Sequence, residues 1–446
     1  MQTFKVTKKT DGIEFNLIIL FVISVFLVSY IRINMITTAS LVAILMCVVF
    51  VMNSLLKGRF SIVSHPVQKG MLALFFWVMI SLLISKLDPS KAFPADAYAY
   101  VWAKGLSSPD IRGISFLIRL LLSLFAMNFI ICTVNSKERF FKTINYYLLF
   151  YFIVCLYVLL QFMLHSLLGI EIGELRPSNI ETLSRTGGYL GESSILAGVI
   201  VSGYFLTIAF ANKGHQRLWF PRWLFVAASV VATLDLISTF SSAWILSALL
   251  AFSILSLKHL GKRGLLLIFV GIAVFGLIFQ AEIYEAIFRK TVGQLSHINV
   301  RTSSWVAGIS IFFDHMLTGV GIGQSVFFVP SYLKDIAVNY FLVPDVFLSL
   351  FLASRFPPMN TYIQWMAETG IIGIILLFYI CYQVLRSGRG ITDPENSRIV
   401  KFGLGGALIT TMVAINASPD YLYVGFLNFL ASMYVAGGRV FGTGTT

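Results

Sequence analysis

The chain has little charge. Asp, Glu, Lys and Arg make up 12% of its 446 residues against 57% hydrophobic ones, and the mean hydropathy is +0.85. So much apolar surface exceeds what a water-soluble core can hide, which makes lipid the expected solvent. Long polar stretches are missing as well. Apolar runs recur from Phe15 to Val440, which leaves no room for a soluble domain that folds alone. Metal-ligand patterns are absent. Cys47, Cys132, Cys155 and Cys381 all fall within apolar runs, and the six histidines form no cluster, so neither a metal nor another cofactor is expected. The N-terminal segment MQTFKVTKKTDGIEF lacks a small-residue cleavage site, so the run after Phe15 is expected to be a retained first helix.

What the chain does have is apolar segments of spanning length. A helix needs about 20 mostly apolar residues to cross the hydrocarbon layer. Segments near 14–31, 35–55, 70–86, 114–134, 143–169, 193–212, 223–240, 242–257, 264–284, 361–385, 402–417 and 422–438 qualify. Forty Phe and eighteen Tyr suit lipid contact and headgroup belts. The expected fold is an all-α integral membrane protein with about a dozen spans in one domain over 1–446.

The net charge of +13 is distributed unevenly. Counting loops from a cytoplasmic N-terminus, one face carries 20 of the 33 basic residues and five acidic ones, about +15, and the other is near −2. The positive-inside rule accounts for this without nucleic acid, and it places both termini in the cytoplasm. Every inner loop is then short and basic. The longer loops, near 87–113, 170–192 and 285–360, lie outside, where any chemistry is expected.

Three outer clusters hold the candidate residues. The first, ELRPSNIETLSRTGGYLGESS, contains Arg176, Arg185 and Glu192; two glycines after Arg185 allow close approach of a bulky anion, and Glu192 precedes or starts a helix whose dipole favours a carboxylate. The second, RTSSWVAGISIFFDHMLTGVGIG, sets Arg301, Trp305 and Phe312 at helical spacing in a helix suited to the membrane surface. Its Gly319, Gly321 and Gly323 read as turn and close-packing residues, because no strand precedes them as a nucleotide site requires. In the third, RFPPMNTYIQWMAETGIIG, Asn360 can cap a span, and Glu368 and Gly370 lie two to three turns inside it. Arg119 and Asp235, toward the outer ends of two other spans, are candidates to pair with each other, and Arg355 precedes the third cluster.

In this order the clusters resemble the O-antigen ligase and polymerase superfamily of bacterial envelope glycosyltransferases. RTGGYLGESSILAG resembles the family's Arg-Gly-aromatic stretch opening into a helix. RTSSWVAGISIFFDHMLTGVGIG resembles its Arg-x-x-x-Trp helix, and MNTYIQWMAETGIIG its His-Asn-x-x-Leu-x-x-x-x-Glu-x-Gly-x-x-Gly segment. Two positions depart. Met359 stands where the ligases have histidine, and Ser242 where an arginine is usual, so one phosphate contact is absent or supplied by Arg176, Arg119 or Arg355. The Gly191-Glu192-Ser193 run is closer to the polymerase branch.

The resemblance implies a GT-C-like fold with a large periplasmic loop over 285–360 carrying short amphipathic helices. It also implies an inner-membrane glycosyltransferase, with its site on the periplasmic face, that uses undecaprenyl-diphosphate-linked oligosaccharide without metal or nucleotide. A chain-length regulator and a flippase are the implied protein partners. Arg185 and Arg301 are then expected to grip the diphosphate, with Glu192 as general base, and Arg176, Arg119, Arg355, Trp305, Asn360 and Glu368 to bind or position substrate. The alternatives are a ligase that transfers glycan to lipid A core or protein, and a polysaccharide transporter or flippase. A transporter is disfavoured because the sequence shows no convincing internal repeat and its charges collect at the outer rim.

Overall fold

The computed structural model describes residues 6–26, 38–57, 65–88, 109–170, 175–177, 184–186, 193–212, 216–239, 242–259, 295–339, 357–414 and 424–442. Its helices are α1 (Val6–Phe26), α2 (Thr38–Lys57), α3 (Pro66–Leu87), α4 (Pro109–Thr133), α5 (Lys137–Leu168), α6 (Ser193–Asn212), α7 (Arg222–Ser238), α8 (Ser242–His259), α9 (Leu295–Asp314), α10 (Ser325–Asn339) and α11 (Thr361–Ser387). A short turn at Pro394–Ser397 then leads through a π-helical stretch, Arg398–Leu404, into α12 (Gly405–Ala414), and α13 (Val424–Phe441) follows. Every expected span falls on a helix except 264–284, which lies outside the described residues.

Among the described residues, four stretches are long and apolar enough to cross a membrane: α3, Ile111–Thr133 of α4, Lys137–His165 of α5, and α11. Shorter apolar stretches occupy α1, α2, α6 and α8. The chain is a multi-pass membrane protein.

The all-α expectation needs one amendment. Between α5 and α6, β1 (Leu175–Pro177) and β2 (Ser184–Thr186) form an antiparallel ladder with Arg176 opposite Arg185. Neither strand announces itself in the sequence, because three residues are too few to show a period of two.

Local chemistry sets the helix ends. His65 caps α3, its Nδ1 accepting from Val67 N at 3.3 Å, with Pro66 at the first helical position where no donor is needed. Ser136 caps α5 through Arg139 N, and Gly169, at φ 64°, closes it in the left-handed conformation. The main core joins α1, α2, α4, α5, α6, α7, α8, α12 and α13, with Val67 and Met71 of α3 and Val384 of α11. Its largest buried side chains include Trp244, Tyr147, Tyr151, Phe205 and Phe225. A second cluster, around Leu74, Val78, Phe116, Ile322 and Trp365, joins α3, α4 and α11 to the turn between α9 and α10.

Candidate functional site

The site is organised by the first half of α11. Asn360 is its N-cap, with its side-chain oxygen accepting from Tyr362 N at 3.0 Å and Ile363 N at 3.2 Å, as the sequence suggests. Immediately before it, Met359 meets α9 through its backbone. Trp305 Nε1 donates to Met359 O at 3.0 Å, and Met359 N donates to Ser304 Oγ at 3.1 Å. Ser304 Oγ in turn donates to Arg301 O at 2.8 Å. Arg301, Trp305 and Asn360 thus gather where α9 meets the cap of α11, and Arg301 is exposed there.

Deeper, α11 is broken. Gly370 has φ 67° and ψ −168°, a conformation that favours glycine, so the helical ladder cannot continue through it. The carbonyls released by the break are taken up from outside the helix. Val320 N donates to Ala367 O and Gly321 N to Glu368 O, both at 2.9 Å, and Trp77 Nε1 of α3 donates to Thr369 O at 2.8 Å. In return Ile371 N donates to Met316 O at 2.8 Å. Ser81 Oγ of α3 bridges Thr318 O at 2.6 Å and Glu368 O at 3.2 Å. Gly319, Gly321 and Gly323 all have positive φ, so the turn residues read from the sequence are turn residues in the structure. Space matters as much as conformation, since a Cβ on Gly319 would run into the Glu368 carbonyl and one on Gly370 into that of Leu317.

Glu368 is the acidic residue at the centre. It is 1% exposed, and its Oε1 accepts from Ser325 Oγ at 2.7 Å and from Gln364 Nε2 at 3.0 Å. Gln364 lies one turn above it, and its own N donates to Asn360 O at 2.9 Å, so the cap and the carboxylate share one helix face. Beside Ser325, Gln324 donates to Pro109 O at 2.7 Å, and Arg112 Nε of α4 donates to Gly323 O at 2.9 Å. Among the described residues the buried Oε1 atoms of Gln324 and Gln364 have no hydrogen-bond partner. Two buried acceptors in that state have capacity for a donor such as a hydroxyl or water.

The other candidates stand apart from this assembly or cannot be placed against it. Arg119 lies one turn beyond Phe116 on α4, its guanidinium 5.4 Å from that ring's centre, while Arg112 stacks on the same ring at 5.3 Å. Arg176 and Arg185 are brought together as cross-strand neighbours. Glu192 and Arg355 lie outside the described residues. Asp235 is buried in α7 beside Cys155 and Tyr151 of α5, where its Oδ2 has no hydrogen-bond partner among the described residues.

Sequence reasoning missed Trp77, Ser81, Arg112, Gln324, Ser325 and Gln364, and its short helices within 285–360 included no bounds for α10. Most of these act across more than forty residues of chain, which no local pattern shows. Gln364 is the exception: it is four residues from both Asn360 and Glu368, a spacing that puts all three on one face.

Residues 227–378 match the model of a family described as O-antigen ligase. The matched segment contains Arg301, Trp305, Asn360 and Glu368, the assembly around α9 and α11, and it leaves out Arg119, Arg176, Arg185 and Glu192. No curated protein matches the chain. Members of the family are transferases of lipid-linked glycans. Over residues 227–378, therefore, this chain carries a domain of the O-antigen ligase family.

Proposed function

We propose that the protein is a polysaccharide polymerase that transfers an undecaprenyl-diphosphate-linked glycan onto a second lipid-linked repeat at the periplasmic face of the bacterial inner membrane. One observation carries the choice of polymerase over ligase. At the position where the resemblance leads one to look for a histidine, Met359 offers a thioether that cannot exchange protons, and α9 hydrogen-bonds to its backbone N–H and C=O. The general base then comes from elsewhere, and Glu192 is the candidate. Glu368 is less suited to the role, because its carboxylate is buried and already accepts two hydrogen bonds.

A diphosphate leaving group is a large anion, and guanidinium groups bind it with forked, charge-assisted hydrogen bonds. Arg301, exposed at the head of the site, and the neighbouring pair Arg176 and Arg185 supply that chemistry. As the glycosidic bond breaks, negative charge grows on the diphosphate, and fixed cations there stabilise the transition state more than the ground state. The acceptor hydroxyl gives its proton to the base as it attacks the anomeric carbon.

Arg301→Ala and Glu192→Gln are each expected to abolish chain extension in cells while the protein still inserts at normal levels. Polymer of near-normal length on a gel from either variant would remove that residue from the mechanism. The family description itself favours the ligase reading. Under that reading, polymer length would be unchanged in a deletion strain and only attachment of glycan to lipid A core or protein would be lost.

A further inference from the structure

We propose that α9 dips into the bilayer alongside α11, so that the glycine turn at its end lies below the membrane surface and one face of α9 touches lipid acyl chains. The two helices run side by side in the same direction. Ser304 is bonded to Met359 near their starts, and Met316 to Ile371 twelve residues further along each chain. At ~1.5 Å per residue, α9 follows α11 inward for about 18 Å.

Two independent markers give the depth. Counted at helical rise through the break at Gly370, the 27 residues of α11 extend about 40 Å, some 10 Å more than the hydrocarbon layer, so about the outer quarter can stand clear of it. If Arg386 in the last turn marks the inner boundary, the outer boundary falls near Met366, and Ile371 with its partner Met316 lies inside. On α3, Ser81 holds Thr318 while Leu83 and Leu87, further outward, still present exposed apolar side chains, Leu87 at 81%. Six residues of helix put the turn about 9 Å inward of Leu87.

The surface chemistry of α9 agrees. Val306, Ile309, Phe313 and Leu317 recur at spacings of three and four and are exposed, Phe313 at 67% and Leu317 at 64%. Ser304, Ala307, Ile311 and Phe312, on the opposite side, are buried against the protein. Met316 O accepts from Ile371 N, so the exposed stripe ends beside the second half of α11, where Ile372 and Ile375 are exposed on a helix of spanning length and composition. The apolar stripe is thus continuous with a lipid-facing surface. Irregular backbone at that depth is tolerable because the freed groups are paired: the turn and the break in α11 satisfy each other, with Trp77 and Ser81 completing the set.

The test uses the full chain in lipid vesicles, with its four native cysteines replaced and single spin labels at Val306, Phe313 or Leu317. Collision with oxygen, which concentrates in lipid, is expected to exceed collision with a water-soluble nickel chelate at all three, and the ratio is expected to rise from 306 to 317. A label at Gly390, in an exposed polar turn, should show the reverse. Chelate collision at 313 and 317 as strong as at 390 would overturn the proposal, as would weak collision with both reagents, which would mean that protein covers this face. Should cysteine replacement prevent folding, a bilayer-partitioned carbene reagent on the unaltered chain gives a second reading. It is expected to modify the peptide bearing Phe313 and Leu317 as strongly as that bearing Ile375 and Phe378, and failure to do so counts against the proposal. Neither readout depends on glycan chemistry, so this inference and the polymerase reading fail separately.

Discussion

Among the described residues, two of the buried polar regions inside the helix assembly are built differently. Among α5, α6 and α7 the helices are unbroken and polarity is carried by side chains. Tyr147 Oη donates to Ser202 Oγ at 2.6 Å, Tyr151 Oη donates to Ile200 O at 2.9 Å, and Asp235 faces Cys155. Among α3, α9 and α11 the backbone, released by a break at Gly370 and a three-glycine turn, adds to the polarity of buried side chains such as Glu368, Gln364 and Ser325. Side-chain hydrogen bonds between intact helices specify how they pack. A helix interrupted within a membrane-spanning length frees main-chain donors and acceptors, and here the glycine turn, Trp77 and Ser81 take them up. The family match over 227–378 takes in α9 and α11 of the second region, and of the first region most of α7 with Asp235.

The largest expected effect breaks the comparison at its centre. Gly370→Ala forces a Cβ onto a positive-φ residue, a strain of about 1–3 kcal/mol before its collision with the Leu317 carbonyl. Loss of folded protein in size-exclusion profiles, or a large drop in melting temperature in detergent, is the expected outcome. Gly203→Ala, in the other region, meets the Tyr151 ring from a normal helical backbone and should cost less. Equal effects would remove the distinction.

Next in size is Glu368→Ala. It leaves the Ser325 hydroxyl and the Gln364 amide without their acceptor, at about 1–3 kcal/mol for each buried donor, and should lower both the melting temperature and chain extension. Asp235→Asn, by contrast, should leave polymer length near wild type. If it abolished extension instead, the α5–α6–α7 region would have a role in chemistry. Trp77→Phe removes one bond to the broken helix, worth about 0.5–1.5 kcal/mol, and a modest fall in melting temperature is the expected reading.

The smallest effect belongs to the entry of α3. Burial and the nearby Arg439 charge hold the His65 imidazole below its usual range, and its Nδ1 must stay unprotonated to cap the helix. A base whose folded pKa is lowered is protonated first in the unfolded chain. Stability should therefore fall as pH drops below the ordinary histidine value of about 6.5 and level off below the folded value. His65→Asn, which keeps a cap but does not titrate, should flatten that part of a melting-temperature profile.

Much of this was legible in the sequence, for reasons tied to range. Hydropathy located the helices because lipid demands long apolar runs, and the Asn360 cap and the glycine turn are local signals in which residue type dictates conformation. Glu368 and Gly370 stand out in the sequence as a polar and a flexible residue inside a span. What they do stayed hidden, because the break in α11 is completed by Trp77, Ser81 and the 316–321 segment, which the chain brings together only in the folded state. The Arg176 and Arg185 pairing was hidden likewise, since strands of three residues are too short to show their register in the sequence.

The central claim is that both the donor and the acceptor are lipid-linked repeats. Purified protein in vesicles, given one undecaprenyl-diphosphate-linked repeat unit as its only glycan, is predicted to yield a ladder of products differing by one repeat, with undecaprenyl diphosphate released. A single unextended band, with glycan transfer appearing only when lipid A core or a protein acceptor is added, would contradict the account.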